Sequence, residues 1–300
     1  MSGLVLLAPD FALIALGALL MRYGRFDTGF WIGVERLVYF ILFPALLFHS
    51  IVRTPFDFAK TGALVEAGLA GIAIGAALGY AARRFVRDDR LWASAVQCAF
   101  RFNSYIALAL ANRLGAEAGT ALMAILIGVA VPICNALAVI ALSRHSPHGL
   151  LRELARNPLL IATITGLACN FAGLVLPEPV AATLARLGSA SIALGLIAVG
   201  AGLRLQGLRE APVFAGYITF IKLVAVPAAA LGTGWWLGLN GLQLQIVVLF
   251  GALPTASSAY ILAQRMGGNG AVVAVLISLG TVVSALTVPL WLTLARLVAA

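Results

Sequence analysis

The chain has 300 residues, 62% of them hydrophobic and 10% charged, with a mean hydropathy of +1.04. A soluble domain carries roughly a quarter charged residues, so this is a polytopic membrane protein with no spare length for a soluble module. The formal charge of +9 sits in short loops beside apolar spans, as the positive-inside rule expects, and no aromatic-interleaved basic patch points to nucleic acid.

A helix needs about 20 apolar residues to cross a bilayer. That length predicts ten spans, near residues 4–21, 35–52, 62–82, 92–112, 119–142, 157–177, 185–204, 211–238, 242–264 and 271–297. Residues 1–21 lack a basic n-region and a small-residue cleavage site, and read as the first span. Pro9 and Pro158 are expected to open spans one and six, each in a first helical turn. His49, near the end of span two, reads as interfacial. Glu66, near the start of span three, is either a proton-coupling group or an interfacial partner of Lys60. Span three also carries Gly71, Gly75 and Gly79, a small-residue stripe for close helix approach within a repeat or across a homodimer face. Asn135 in span five and Asn170 in span six are either interhelical glue or substrate contacts. Cys98, Cys134 and Cys169 have no metal-ligand spacing and read as small buried hydrophobes. No metal, cofactor or enzyme motif is visible, and His145 and His148 are too sparse for a metal site.

Lys and Arg set the orientation. Of the 20, thirteen lie in the loops after spans one, three, five, seven and nine, and five lie on the other side. Arg101 and Lys222 fall inside spans. The bias places both termini outside the cytoplasm. Five spans per half then gives two sequential units of opposite orientation, an inverted repeat. The division is 1–142 for the first unit, 143–156 for a cytoplasmic linker and 157–300 for the second unit.

Spans four and nine are interrupted. One reads Arg101-Phe102-Asn103-Ser104-Tyr105, the other Leu253-Pro254-Thr255-Ala256-Ser257-Ser258. A broken span frees backbone donors and acceptors that hydrocarbon cannot satisfy, so such a break must line a cavity or pack on protein. Pro254 removes a donor and clashes with the preceding turn. A half-helix can restart after it, with free N–H groups and about half a positive charge at its start. Thr255, Ser257 and Ser258 add hydroxyls there, which suits an anion or the polar group of a neutral solute. Asn103 acts by a different route, because its side chain competes for backbone bonds and favours a helix cap. Ser104 and Tyr105 follow it. A charge at the bilayer centre costs about 2.5–3.5 kcal/mol, so Arg101 must face protein, water or an anion. Lys222 has three readings: a counter-charge for a carboxylate, a brace for the breaks, or a snorkelling residue.

These residues resemble the auxin efflux carrier family of membrane transporters over nearly the whole chain. The resemblance rests on Arg101 to Tyr105, on Asn157-Pro158 with Gly166, and on Lys222 with Pro227. It continues from Leu253-Pro254-Thr255 through Gln264-Arg265-Met266-Gly267-Gly268 to Ser284 and Pro289. It implies an all-α membrane fold of ten helices in two inverted five-helix repeats, with helices four and nine broken where they cross. It further implies homodimers, elevator-type movement, and bacterial members that carry organic acids including malonate and malate. Asn103 departs from the pattern, since a proline there would match Pro254.

The expectation is therefore a secondary transporter of small organic anions, carboxylates first among them, working by alternating access in a bacterial inner membrane. The solute site falls at Arg101, Asn103, Ser104, Tyr105, Pro254, Thr255, Ser257 and Ser258, with Lys222 and Asn135 as further contacts. Two other readings stay open. One is a sodium-coupled symporter of the bile-acid-carrier fold, and the other is a membrane sensor that binds a ligand without moving it.

Overall fold

The computed structural model describes residues 3–24, 26–53, 58–142, 158–203, 212–239, 241–256 and 258–299. The chain is an all-α polytopic membrane protein with about ten helical passes. Among the described residues, six helices are long and apolar enough to cross a membrane, and Phe11–Tyr23, Ile161–Phe171 and Gly241–Ala252 are shorter apolar helices. The linker 143–156 lies outside the described residues.

In chain order, α1 is Gly3–Tyr23. The second pass is α2 (Thr28–Leu37), a π-helical turn (Val38–Leu42) and α3 (Phe43–Arg53). Next come α4 (Phe58–Ala81), α5 (Asp89–Val96) and α6 (Ser104–Leu142). Backbone angles at Gly115 and Ala116 are not helical, so α6 holds the second half of pass four and all of pass five, joined by a kink. The second half has α7 (Pro158–Phe171) and α8 (Glu178–Ala201). It continues with α9 (Pro212–Phe220), a second π turn (Ile221–Ala225) and α10 (Val226–Trp236). It ends with α11 (Gly241–Ala252), α12 (Ser258–Arg265) and α13 (Gly270–Ala299).

Pro158 is the first described residue of its helix, and Pro9 lies inside α1 rather than opening it. The apolar run simply extends N-terminally of the proline. The two π turns have a local cause. Each ends two residues before a proline, Pro44 or Pro227. A proline inside a helix has no N–H for the carbonyl four residues back and crowds it. Widening the preceding turn absorbs that conflict.

Packing falls into two neighbourhoods. α1 lies on α8, and α3 lies on α7 and α8. α4 lies on α6, α10 and α11, and α11 in turn lies on α10, α6 and α13. Contacts of α6 with α3 and α8 join the two groups. Close approach in the first group depends on glycine. A Cβ on Gly17 would meet the Ile197 carbonyl oxygen at 1.9 Å, and one on Gly200 the Ile14 carbonyl oxygen at 1.8 Å. The α4 stripe is internal: Gly71 and Gly75 face Val226 of α10, while Gly75 and Gly79 face Ala99 beside the first break.

Candidate functional site

The two breaks meet. After α5 a short 3-10 turn (Gln97–Ala99) leads into non-helical residues up to Asn103. After α11 the chain is non-helical from Leu253 to Ala256. The Asn103 N–H donates to the Pro254 carbonyl at 2.8 Å. Asn103 also caps α6, its Oδ1 accepting from the N–H groups of Tyr105 at 3.0 Å and Ile106 at 3.2 Å. That is the capping role expected of asparagine at a helix start. It also occupies two donors that a solute could otherwise use. What remains is Nδ2, which is buried with no hydrogen-bond partner among the described residues.

Further bonds tie the first break to the second half-helix. Gln97 Nε2 donates to the Ala259 carbonyl at 3.2 Å, and Arg101 Nη2 donates to Ser258 Oγ at 3.1 Å. Gln97 is fully buried and Arg101 only 9% exposed. The Cys134 thiol, on α6, donates to the Phe100 carbonyl at 3.6 Å. Phe102 and Phe250 lie against each other with ring centres 4.6 Å apart. Several of the freed backbone groups at both breaks thus find protein partners, as hydrocarbon surroundings demand.

Lys222 braces the second break and does not snorkel. It is 4% exposed, and its Nζ donates to the Gly251 carbonyl at 2.7 Å. α11 stops one residue later, so that carbonyl belongs to the negative end of a half-helix. The carbonyl of Leu223, which Pro227 cannot serve, accepts from the Trp291 indole N–H at 2.8 Å. A cavity of about 10 Å³ lies beside the break, lined on its polar side by Cys98, Thr219, Lys222 and Thr255. This is room for about one water, so an organic solute needs the helices here to separate.

The other expected residues divide. Ser104 is half-buried directly after the break. Tyr105 is half-buried and turns its ring onto Phe43 of α3, centres 4.9 Å apart. Thr255 is buried, Ser258 is exposed, and Ser257 lies outside the described residues. Asn135 is half-buried on α6, next to Cys134. Asn170 is interhelical glue, donating to the Ile51 and Val52 carbonyls at 2.9 Å. Glu66 is exposed on α4, and the side chain of Lys60 is outside the described set. His49 packs inside the protein. It is 4% exposed in α3, with Nε2 buried. Among the described residues no group of His, Cys, Asp or Glu could hold a metal.

Residues 142–292, about half of the chain, match the family model described as "Membrane transport protein". The chain belongs to this membrane transport protein family, of the auxin efflux carrier type. Relatives agree with that assignment. A Rhizobium meliloti protein named "Putative malonate transporter" is 28% identical over 290 residues, covering 89% of this chain and 87% of that protein. An uncharacterized transporter of Methanothermobacter thermautotrophicus is 26% identical over 97% of this chain and 95% of its own length. The uncharacterized transporter YfdV of Escherichia coli K12 is 31% identical over 52% of this chain and 49% of its own length.

Two features of this membrane transport protein escape a reading by residue type. Gln97 looks like an ordinary helix residue, yet it spans the two breaks. Its only signal is periodic: Ser94, Gln97 and Arg101 share one helical face. Thr219 is the other. It precedes Lys222 by three residues and therefore points the same way.

Proposed function

We propose that this transporter carries small organic anions, carboxylates first among them, by alternating access around the meeting point of passes four and nine. The hydrogen bond from Asn103 N–H to the Pro254 carbonyl carries the proposal. It brings two broken passes, one from each half of the chain, into backbone contact, which is the arrangement of a transporter midplane site. Around it stand two buried cations, Arg101 and Lys222, and the spare Asn103 Nδ2 donor. Ser104, Thr255 and Ser258 supply hydroxyls. The malonate named for the Rhizobium relative fits this donor-rich, cationic setting.

In this reading residues 1–142 and 157–300 are inverted repeats joined by the 143–156 linker. The packing supports it, because contacts come in exchanged pairs. The first pass lies on the seventh and the second on the sixth, through α1 with α8 and α3 with α7. Those four passes form a scaffold. The other six, built around α4, α6, α10, α11 and α13, move as the transport body. A solute drives that movement only through its unequal affinity for the two states. The protein sits in a bacterial inner membrane with both termini outside the cytoplasm, and works as a homodimer.

Asn103→Ala and Pro254→Ala test the site. Uptake of labelled carboxylates into proteoliposomes should fall at least tenfold for each, with expression and detergent-solubilised yield within about twofold of wild type. Uptake at wild-type rates in both variants would falsify the proposed site.

A further inference from the structure

The 10 Å³ cavity beside the second break is a polar cell whose chemistry is lopsided. Thr219 Oγ1 is buried in its wall with no hydrogen-bond partner among the described residues, and Thr255 Oγ1 is buried beside the Cys98 thiol. Lys222 adds an ammonium with three donors, of which one is used on the Gly251 carbonyl. The remaining wall is the Cys98 thiol and apolar groups such as Ile218 and Leu276. Among the described residues no carboxylate lines the cell. Buried polar groups normally find partners, and each one left alone calls for an explanation.

The missing partner is a single acceptor atom. The cell has room for one water-sized group. A neutral water can satisfy the two hydroxyls, but it leaves the lysine charge without compensation in a low-dielectric interior. An anionic oxygen satisfies the hydroxyls and the charge together, through the strong charge-assisted bonds that ammonium and hydroxyl donors make. We propose that this cell is the subsite for one carboxylate oxygen of the transported anion, with Thr219 as a specificity-determining residue. Thr219 lies outside both breaks, on the pass that carries Lys222. The subsite rests on the organic-anion reading above and assigns one end of the solute within it. It predicts weaker binding of the corresponding amide, whose carbonyl oxygen fits the cell but brings no negative charge to the lysine.

The test is labelled malonate exchange in proteoliposomes by the full-length protein, with KM and maximal rate measured for wild type, Thr219→Val and Thr219→Ser. Thr219→Val should raise KM about tenfold while changing the maximal rate much less, as expected for losing one hydrogen bond to a charged group. Thr219→Ser, which restores the hydroxyl, should return KM to within about twofold of wild type. Malonamide should compete at least tenfold more weakly than malonate. Wild-type exchange with an unchanged KM in Thr219→Val overturns the subsite and leaves the organic-anion reading standing. Absence of exchange of any carboxylate by wild type overturns both. Should Thr219→Val fail to fold, Thr255→Val and Thr255→Ser give the same comparison on the facing hydroxyl.

Discussion

Asn103 does by hydrogen bonding what Pro254 does by steric exclusion. Its Oδ1 replaces backbone acceptors for two N–H groups of α6, while its own N–H leaves the helix and reaches Pro254. Lys222 works at the same scale. Its ammonium sits on the Gly251 carbonyl in the last turn of α11, where a cation is favoured by the half-helix dipole. Replacing it sets two effects against each other. Lys222→Met strands the Gly251 carbonyl, at a cost of about 1–3 kcal/mol, but removes a buried charge whose desolvation is of similar or larger size. Thermal stability in detergent should therefore move by only a few degrees, while carboxylate uptake falls at least tenfold. A variant that transports normally would show that the lysine is only a brace.

The helical elements owe their interruptions to identifiable residues. Pro44 and Pro227 each follow a π turn, and both could have been read from the sequence as conflicts inside long apolar helices. The join between passes four and five is tighter than the apolar pattern suggests. It is a two-residue kink, with Ala116 at φ 46° and ψ −130°, a region that glycine occupies at far lower cost. Ala116→Gly should stabilise the protein by about 1 kcal/mol, read as a rise in melting temperature in detergent. A fall would mean that the Ala116 methyl makes contacts worth more than the strain. The breaks themselves were legible, because Pro254 and Asn103 are polar or helix-breaking residues in apolar surroundings. Gln97 and Thr219 were not. Each is a common residue in a helix, and its importance comes from a neighbour more than 30 residues away in the chain.

For the whole molecule, hydropathy was enough to count the passes, and the charge bias was enough to propose their direction. Pairing of first with seventh and second with sixth passes needed the structure, since it depends on glycines meeting backbone, as Gly17 and Gly200 do. Nothing in the composition of those helices sets them apart from the others. The proposed location of both termini outside the cytoplasm has a direct check. Single cysteines at residues 2 and 299, in a background lacking Cys98, Cys134 and Cys169, should react with an impermeant thiol reagent from outside intact cells. Labelling of both only after the membrane is opened would reverse the topology. The central claim, a carrier that binds organic anions where two broken passes meet, is tested most directly by counterflow. Proteoliposomes loaded with unlabelled malonate should accumulate labelled malonate through wild type, and should fail to do so with Asn103→Ala. Equal accumulation by both proteins, or none by a folded wild type across a panel of mono- and dicarboxylates, would contradict the account.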